Sequence, residues 1–103
     1  MPRYHVIIHS PGPAWHPGVP FREQPNVELH AAFMSGLEAR GLMPIGGPFL
    51  DGDGGGMAVV ATDTPEEAVA LAREDPSIAN GLLTFHVRPW HAIMGSLVDP
   101  ARD

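Results

Sequence analysis

Hydrophobic and polar positions along the chain repeat with two periods, and their order predicts the architecture. Residues 3–10 (RYHVIIHS) alternate, with Tyr4, Val6 and Ile8 on one side and His5, Ile7 and His9 on the other, which predicts a first strand. From Asn26 to about Arg40 the period changes: Leu29, Ala32, Phe33, Gly36 and Leu37 recur at spacings of three and four, as on one face of a helix. Asn26 is the expected N-cap and Gly41 the left-handed residue that closes the helix. Leu42 to Leu50 is a short apolar stretch broken by glycine and proline, which suits a strand at a sheet edge. A turn over Asp51 to Gly56 leads into a buried-looking strand from Met57 to Thr62. Thr64, Pro65 and Glu67 then form a helix-start signature, and Ala68, Leu71 and Ala72, flanked by Val69, give that helix its apolar stripe. Asp75-Pro76 ends it, because proline pushes the preceding residue away from helical dihedrals. After Gly81, LLTFHVRPW reads as a last strand.

Strand, helix, strand, strand, helix, strand is the ferredoxin-like split βαβ order. It implies an α+β fold: a four-stranded antiparallel sheet with two helices on one face. Tracing the chain up and down through that order gathers several polar features at one end. They are the end of the first strand (His9, Ser10), the first turns of the first helix (His30), the glycine-rich tip, the end of the second helix (Asp75) and the start of the last strand. The proline-rich segment 11–25 joins at the same end, and Trp15 and Phe21 within it are unsuited to open water, so a lid over a site is expected. On the last strand Leu83, Phe85 and Val87 are expected to face the helices. Thr84, His86, Arg88 and Trp90 then share the opposite face with His5, Ile7 and His9. That face is too apolar to be bare, so a homodimer packed through it, enclosing a barrel-like cavity, is expected.

Composition narrows the chemistry. The 103 residues fit one domain spanning 1–103, and a formal charge of −6 disfavours nucleic acid and anionic membranes as partners. There is no cysteine and no lysine, which removes disulfides, thiolate ligands and nucleophiles, Schiff bases and a phosphate-loop lysine. No window approaches a membrane span and the N-terminal apolar run is too short for a signal peptide, so a soluble cytoplasmic protein is expected. Asp51-Gly-Asp53-Gly invites a calcium reading but lacks the remaining ligands of such a loop, and a tight turn explains it. His16 and His91 are expected to be exposed.

Several motifs together resemble the YciI-like (YCII-related) proteins of the dimeric α+β barrel superfamily. These are His30-x-x-Phe33, Gly46-Gly-Pro-Phe49, the glycine-rich tip, the Thr-Pro-Glu-Glu-Ala helix opening, Asp75-Pro76 followed by Ala-Asn-Gly-Leu, and Val87-Arg-Pro-Trp90. The resemblance spans nearly the whole chain, with the long loop matching a subgroup. It implies a ferredoxin-like protomer, a homodimer, and an active site of one histidine and one aspartate, which map to His30 and Asp75. It also implies the chemistry of the family's characterised branch, removal of chloride from a chlorinated hydroxyhydroquinone, and of the superfamily's muconolactone isomerases.

Each candidate also has a plainer explanation. His30 can be a half-buried residue of a helix start, and Asp75 the cap of the turn at Ser77 and Ile78. As a pair they form a general base oriented by a carboxylate. His9 is a third member, a metal ligand or a cavity-lining residue. Trp15 and Phe21 would contact a substrate from the loop, and Arg88 would hold a substrate carboxylate. The leading expectation is a cofactor-independent lyase or isomerase acting on a small oxygenated ring compound. A non-catalytic small-molecule-binding or protein-interaction dimer, and a metal site using His9 and His30, stand as alternatives.

Overall fold

The computed structural model describes residues 3–52 and 54–96. Four strands, β1 (Tyr4–Pro11), β2 (Ile45–Pro48), β3 (Gly56–Ala61) and β4 (Leu83–Trp90), form one sheet in the order β2-β3-β1-β4, with every neighbouring pair antiparallel. Helices α1 (Val27–Ala39), α2 (Pro65–Arg73) and the short α3 (Pro76–Ala79) complete the ferredoxin-like βαββαβ arrangement. As the broken sequence of its segment predicts, β2 is an edge strand, although it is only four residues long.

The core lies between the sheet and the helices. Ile7, Val60, Leu37, Ala68, Leu71 and Ala72 form its centre, with Phe33, Met34, Leu42, Met43, Phe85 and Val87 packed around them. The second helix is built as its sequence predicts. Thr64 Oγ1 accepts the Glu67 N–H at 3.1 Å, Pro65 occupies the first turn, and Ala68, Leu71 and Ala72 are buried. Gly41 takes φ +73 after α1, the conformation predicted for it.

Three expectations need correction. Asn26 precedes α1 but does not cap it: its φ is +66, a conformation asparagine tolerates, and its side chain makes no cap hydrogen bond. The inward face of α1 carries Val27, His30, Phe33, Met34 and Leu37, whereas Leu29, Ala32 and Gly36 face solvent. The parity of β1 is also reversed. Register pairs Ile7 with Val87 and His9 with Phe85, so His5, Ile7 and His9 point toward the helices. His5 is buried and its Nδ1 lies 2.9 Å from Thr62 Oγ1; it is not a residue of the outer face. The outer face carries Tyr4, Val6 and Ile8 of β1 beside Trp90, Arg88 and His86. On β4 itself the expected division holds: Leu83, Phe85 and Val87 inward, Thr84, His86, Arg88 and Trp90 outward and exposed.

Candidate functional site

The site begins with Asp75, whose two oxygens serve different elements. Oδ1 accepts the Ser77 N–H at 2.9 Å and so caps α3, while Oδ2 is 2.6 Å from His30 Nδ1. The capping role and the pairing role weighed for this residue are thus both present in one carboxylate. Asp75 is 1% exposed. Burial pushes its pKa up, but the hydrogen bonds from His30 and from Ser77 outweigh it and hold the carboxyl below its ordinary value. An ionised carboxylate only accepts, so His30 Nδ1–H is the donor and Nε2 is the ring's remaining nitrogen. Ser77 Oγ lies 3.4 Å from the same Nδ1.

His9 is the third member. It reaches the site from the end of β1, 3% exposed, with Nε2 4.0 Å from Asp75 Oδ2 and its ring 5.1 Å from that of His30. Its pKa is pushed down to about 4 by burial and by His30, against an opposing pull from Asp75, so it is neutral at pH 7. Nε2 is the single buried side-chain polar atom without a hydrogen-bond partner among the described residues. An unmet buried polar atom costs about 1–3 kcal/mol. The glycine-rich tip holds this strand end in place: Gly55 has φ +78 and sits so close to the His9 carbonyl that a Cβ there would overlap it.

His9 and His30 border a cavity of about 280 Å³ between α1 and the β2–β3 side of the sheet, at the small end for ligand sites, and Asp75 is not part of its lining. His9, His30 and Arg22 supply its polar side chains; Val27, Ala31, Met34 and Met43 are apolar. Its volume exists because the sheet positions beneath α1 are Gly46, Gly56 and Ala58. The proline-rich loop closes one side, as its aromatics predict. Phe21 stacks on His30, with ring centres 5.7 Å apart and planes at 21°, and Trp15 backs Phe21 edge-on at 5.2 Å. Trp15 supports the wall without being part of it. Arg88 stands on the far face of the sheet, outside this cavity; the arginine that reaches it is Arg22.

Gln24 was not foreseen from the sequence. It is 2% exposed, accepts the His16 N–H, and donates to the carbonyls of His16 and Val19, so one amide fixes the loop that carries Trp15 and Phe21. A glutamine among prolines gives no pattern by which to find it. Met34 and Met43 of the cavity wall are likewise not marked by the sequence pattern.

His9, His30 and Asp75 each present one ligand atom within 4.8 Å of the others, as a metal triad would. The separations argue otherwise. Two ligands of a tetrahedral zinc stand about 3.3 Å apart, given metal bonds of about 2.0–2.1 Å. His30 Nδ1 and Asp75 Oδ2 at 2.6 Å are closer than that and have the geometry of a charge-assisted hydrogen bond. The donor set as arranged fits a shared proton and does not fit an ion. Asp53, part of the calcium-like sequence at the tip, lies outside the described residues.

A ferredoxin-like sheet and helices with a small, largely apolar cavity, one of whose wall imidazoles is bonded to a buried carboxylate, define a class of compact α+β protein. Comparison with known proteins specifies it: the YCII-related domain matches residues 4–91, and the chain belongs to that family. The uncharacterised protein YjpA of Bacillus subtilis (strain 168) is 33% identical over 67 residues, covering 65% of this chain and 78% of YjpA. Among solved structures, the 5-chloro-2-hydroxyhydroquinone dehydrochlorinase TftG from Burkholderia phenoliruptrix AC1100, in complex with 2,5-dihydroxybenzoquinone, superposes with a TM-score of 0.62. At 20% identity over 93% of this chain and 99% of that one, the likeness is one of fold. Among the described residues, no helix is long and apolar enough to cross a membrane.

Proposed function

We propose that this chain is a small enzyme, needing no cofactor, that moves a proton on a small oxygenated ring compound in a lyase or isomerase reaction. The observation that carries the reading is the 2.6 Å bond between His30, which lines the cavity, and the buried Asp75 carboxylate. Asp75 fixes the tautomer, and the free Nε2 of His30 takes a proton from a hydroxyl or from a carbon beside a carbonyl. Returning that proton to another atom isomerises the ring. If the electron pair left behind instead expels chloride with its bonding pair, the net change is loss of HCl, and no redox partner is needed. The dehydrochlorinase name of the structural relative supports this class of reaction. Phe21 excludes water above His30, and the bare floor of Gly46 and Gly56 accommodates a flat ring.

The reading extends to a homodimer through the outer sheet face, where Ile45, Met57 and Trp90 are exposed. The test is turnover of a panel of chlorinated and hydroxylated aromatic compounds by wild type, His30→Gln and Asp75→Asn. A fall of about 10²-fold or more in both variants, with the fold intact, is expected. Turnover unchanged in both contradicts the assignment, and tight binding without any turnover favours a carrier that only holds the ring.

A further inference from the structure

We propose that His9 binds the ligand directly, its Nε2 hydrogen-bonding an oxygen of the ring compound, so that His9 decides which compounds the site accepts. This rests on the reading of the cavity as a small-molecule site and assigns the residue that selects the molecule. The argument starts from an imbalance. Most buried polar atoms in a folded protein have partners, and here the exception is a buried imidazole nitrogen of a residue that lines the cavity, beside the His30–Asp75 pair. It is not a mobile group that found no partner by chance. His9 is held by pairing on both sides, opposite Gly56 of β3 and Phe85 of β4, and its backbone is pressed by Gly55. Its ring stands nearly perpendicular to that of His30, at 75°.

Asp75 does not satisfy the nitrogen. At 4.0 Å, Oδ2 is beyond hydrogen-bond reach, and it is already engaged by His30. Burial keeps His9 uncharged, so it offers a neutral donor or acceptor and stays one across the range in which most proteins work. Two imidazole rings with centres 5.1 Å apart on one wall of a cavity whose other lining, Arg22 aside, is apolar side chains and glycine favour a ring bearing oxygens on neighbouring carbons. One oxygen meets His30 and the next meets His9.

The experiment titrates the full chain with catechol and with phenol and follows the imidazole nitrogens of His9 and His30 by long-range proton–nitrogen correlation spectroscopy. Catechol is expected to shift His9 Nε2. His9→Leu is expected to weaken catechol binding about tenfold, the loss of one hydrogen bond, and to weaken phenol less. Because His9→Leu also removes an unmet polar atom, its melting temperature in the absence of ligand is expected to equal or exceed that of wild type; a residue kept for structure alone would lower it. Failure of catechol to bind, an unmoved His9 resonance, or equal losses for both compounds overturns the proposal. So does a His9 resonance that responds to added zinc and not to catechol, which would reassign the nitrogen to a metal. Turnover unaffected by His30→Gln, with His9 still responding to catechol, would contradict the acid/base reading and leave this one standing.

Discussion

At the scale of single residues, inward-facing histidines are what obscure the faces of β1 and α1 in the sequence. His5 and His9 occupy inward positions of β1 and His30 an inward position of α1. A pattern reading gives inward positions to apolar residues, so it rotated α1 toward Leu29 and reversed β1. Both differences have one cause: inward-facing histidines break the binary pattern of β1 and α1. Asp75 was legible because Pro76 marks the boundary it caps, and His30 because of the motif around it. His9 was legible only through topology. The same residues predict an acid-sensitive fold. His9 takes up a proton near 6.5 in the unfolded chain but near 4 when folded, so between those values the unfolded state binds more protons and stability falls as pH falls. Asp75, depressed below 3.8, adds stability above that pH which is lost as pH falls through its folded value. The His9 contribution is roughly 3 kcal/mol. Urea denaturation in steps from pH 7 to 4 measures it, and His9→Leu is expected to flatten the slope; an unchanged slope would show that His9 is not the group responsible.

At the scale of elements, the ends of α2 and the alternation of β4 follow the sequence, and the loop lies against the site as its aromatics predict, whereas the inward faces of β1 and α1 do not follow it. Capping chemistry at Thr64 and the glycine at position 41 set the helix ends, and strand alternation set β4. What the sequence could not convey is how the proline-rich segment is held, because that depends on one amide reaching back across eight residues from Gln24 to His16. Gln24→Ala is expected to speed amide exchange and proteolysis across residues 12–25 while leaving β1 and β3 protected. Equal exchange in both proteins would show that the prolines alone order the loop. The cavity floor gives a complementary prediction. Ala58→Leu places atoms inside the cavity beneath α1, so ligand binding is expected to be lost while the melting temperature is maintained. A variant that binds as wild type would place the ligand elsewhere.

At the scale of the whole molecule, topology brings together residues far apart in the chain, and the strand–helix order was enough to foresee that His9, His30 and Asp75 share one end. The same topology leaves the outer sheet face open, with Ile45 and Met57 at one side and Trp90 at the other. Light scattering after size exclusion is expected to report a dimer for wild type and a monomer for Met57→Asp; a monomeric wild type would remove the dimer from the account. The claim beneath the rest is that His30 and Asp75 act as one unit, and a double-mutant cycle tests it without any substrate. Stability of wild type, His30→Leu, Asp75→Asn and the double variant is measured by urea denaturation at pH 7. A coupling of about 1.5–3 kcal/mol, that of a charge-assisted hydrogen bond, is predicted. A coupling indistinguishable from zero would mean that the two side chains are neighbours and nothing more.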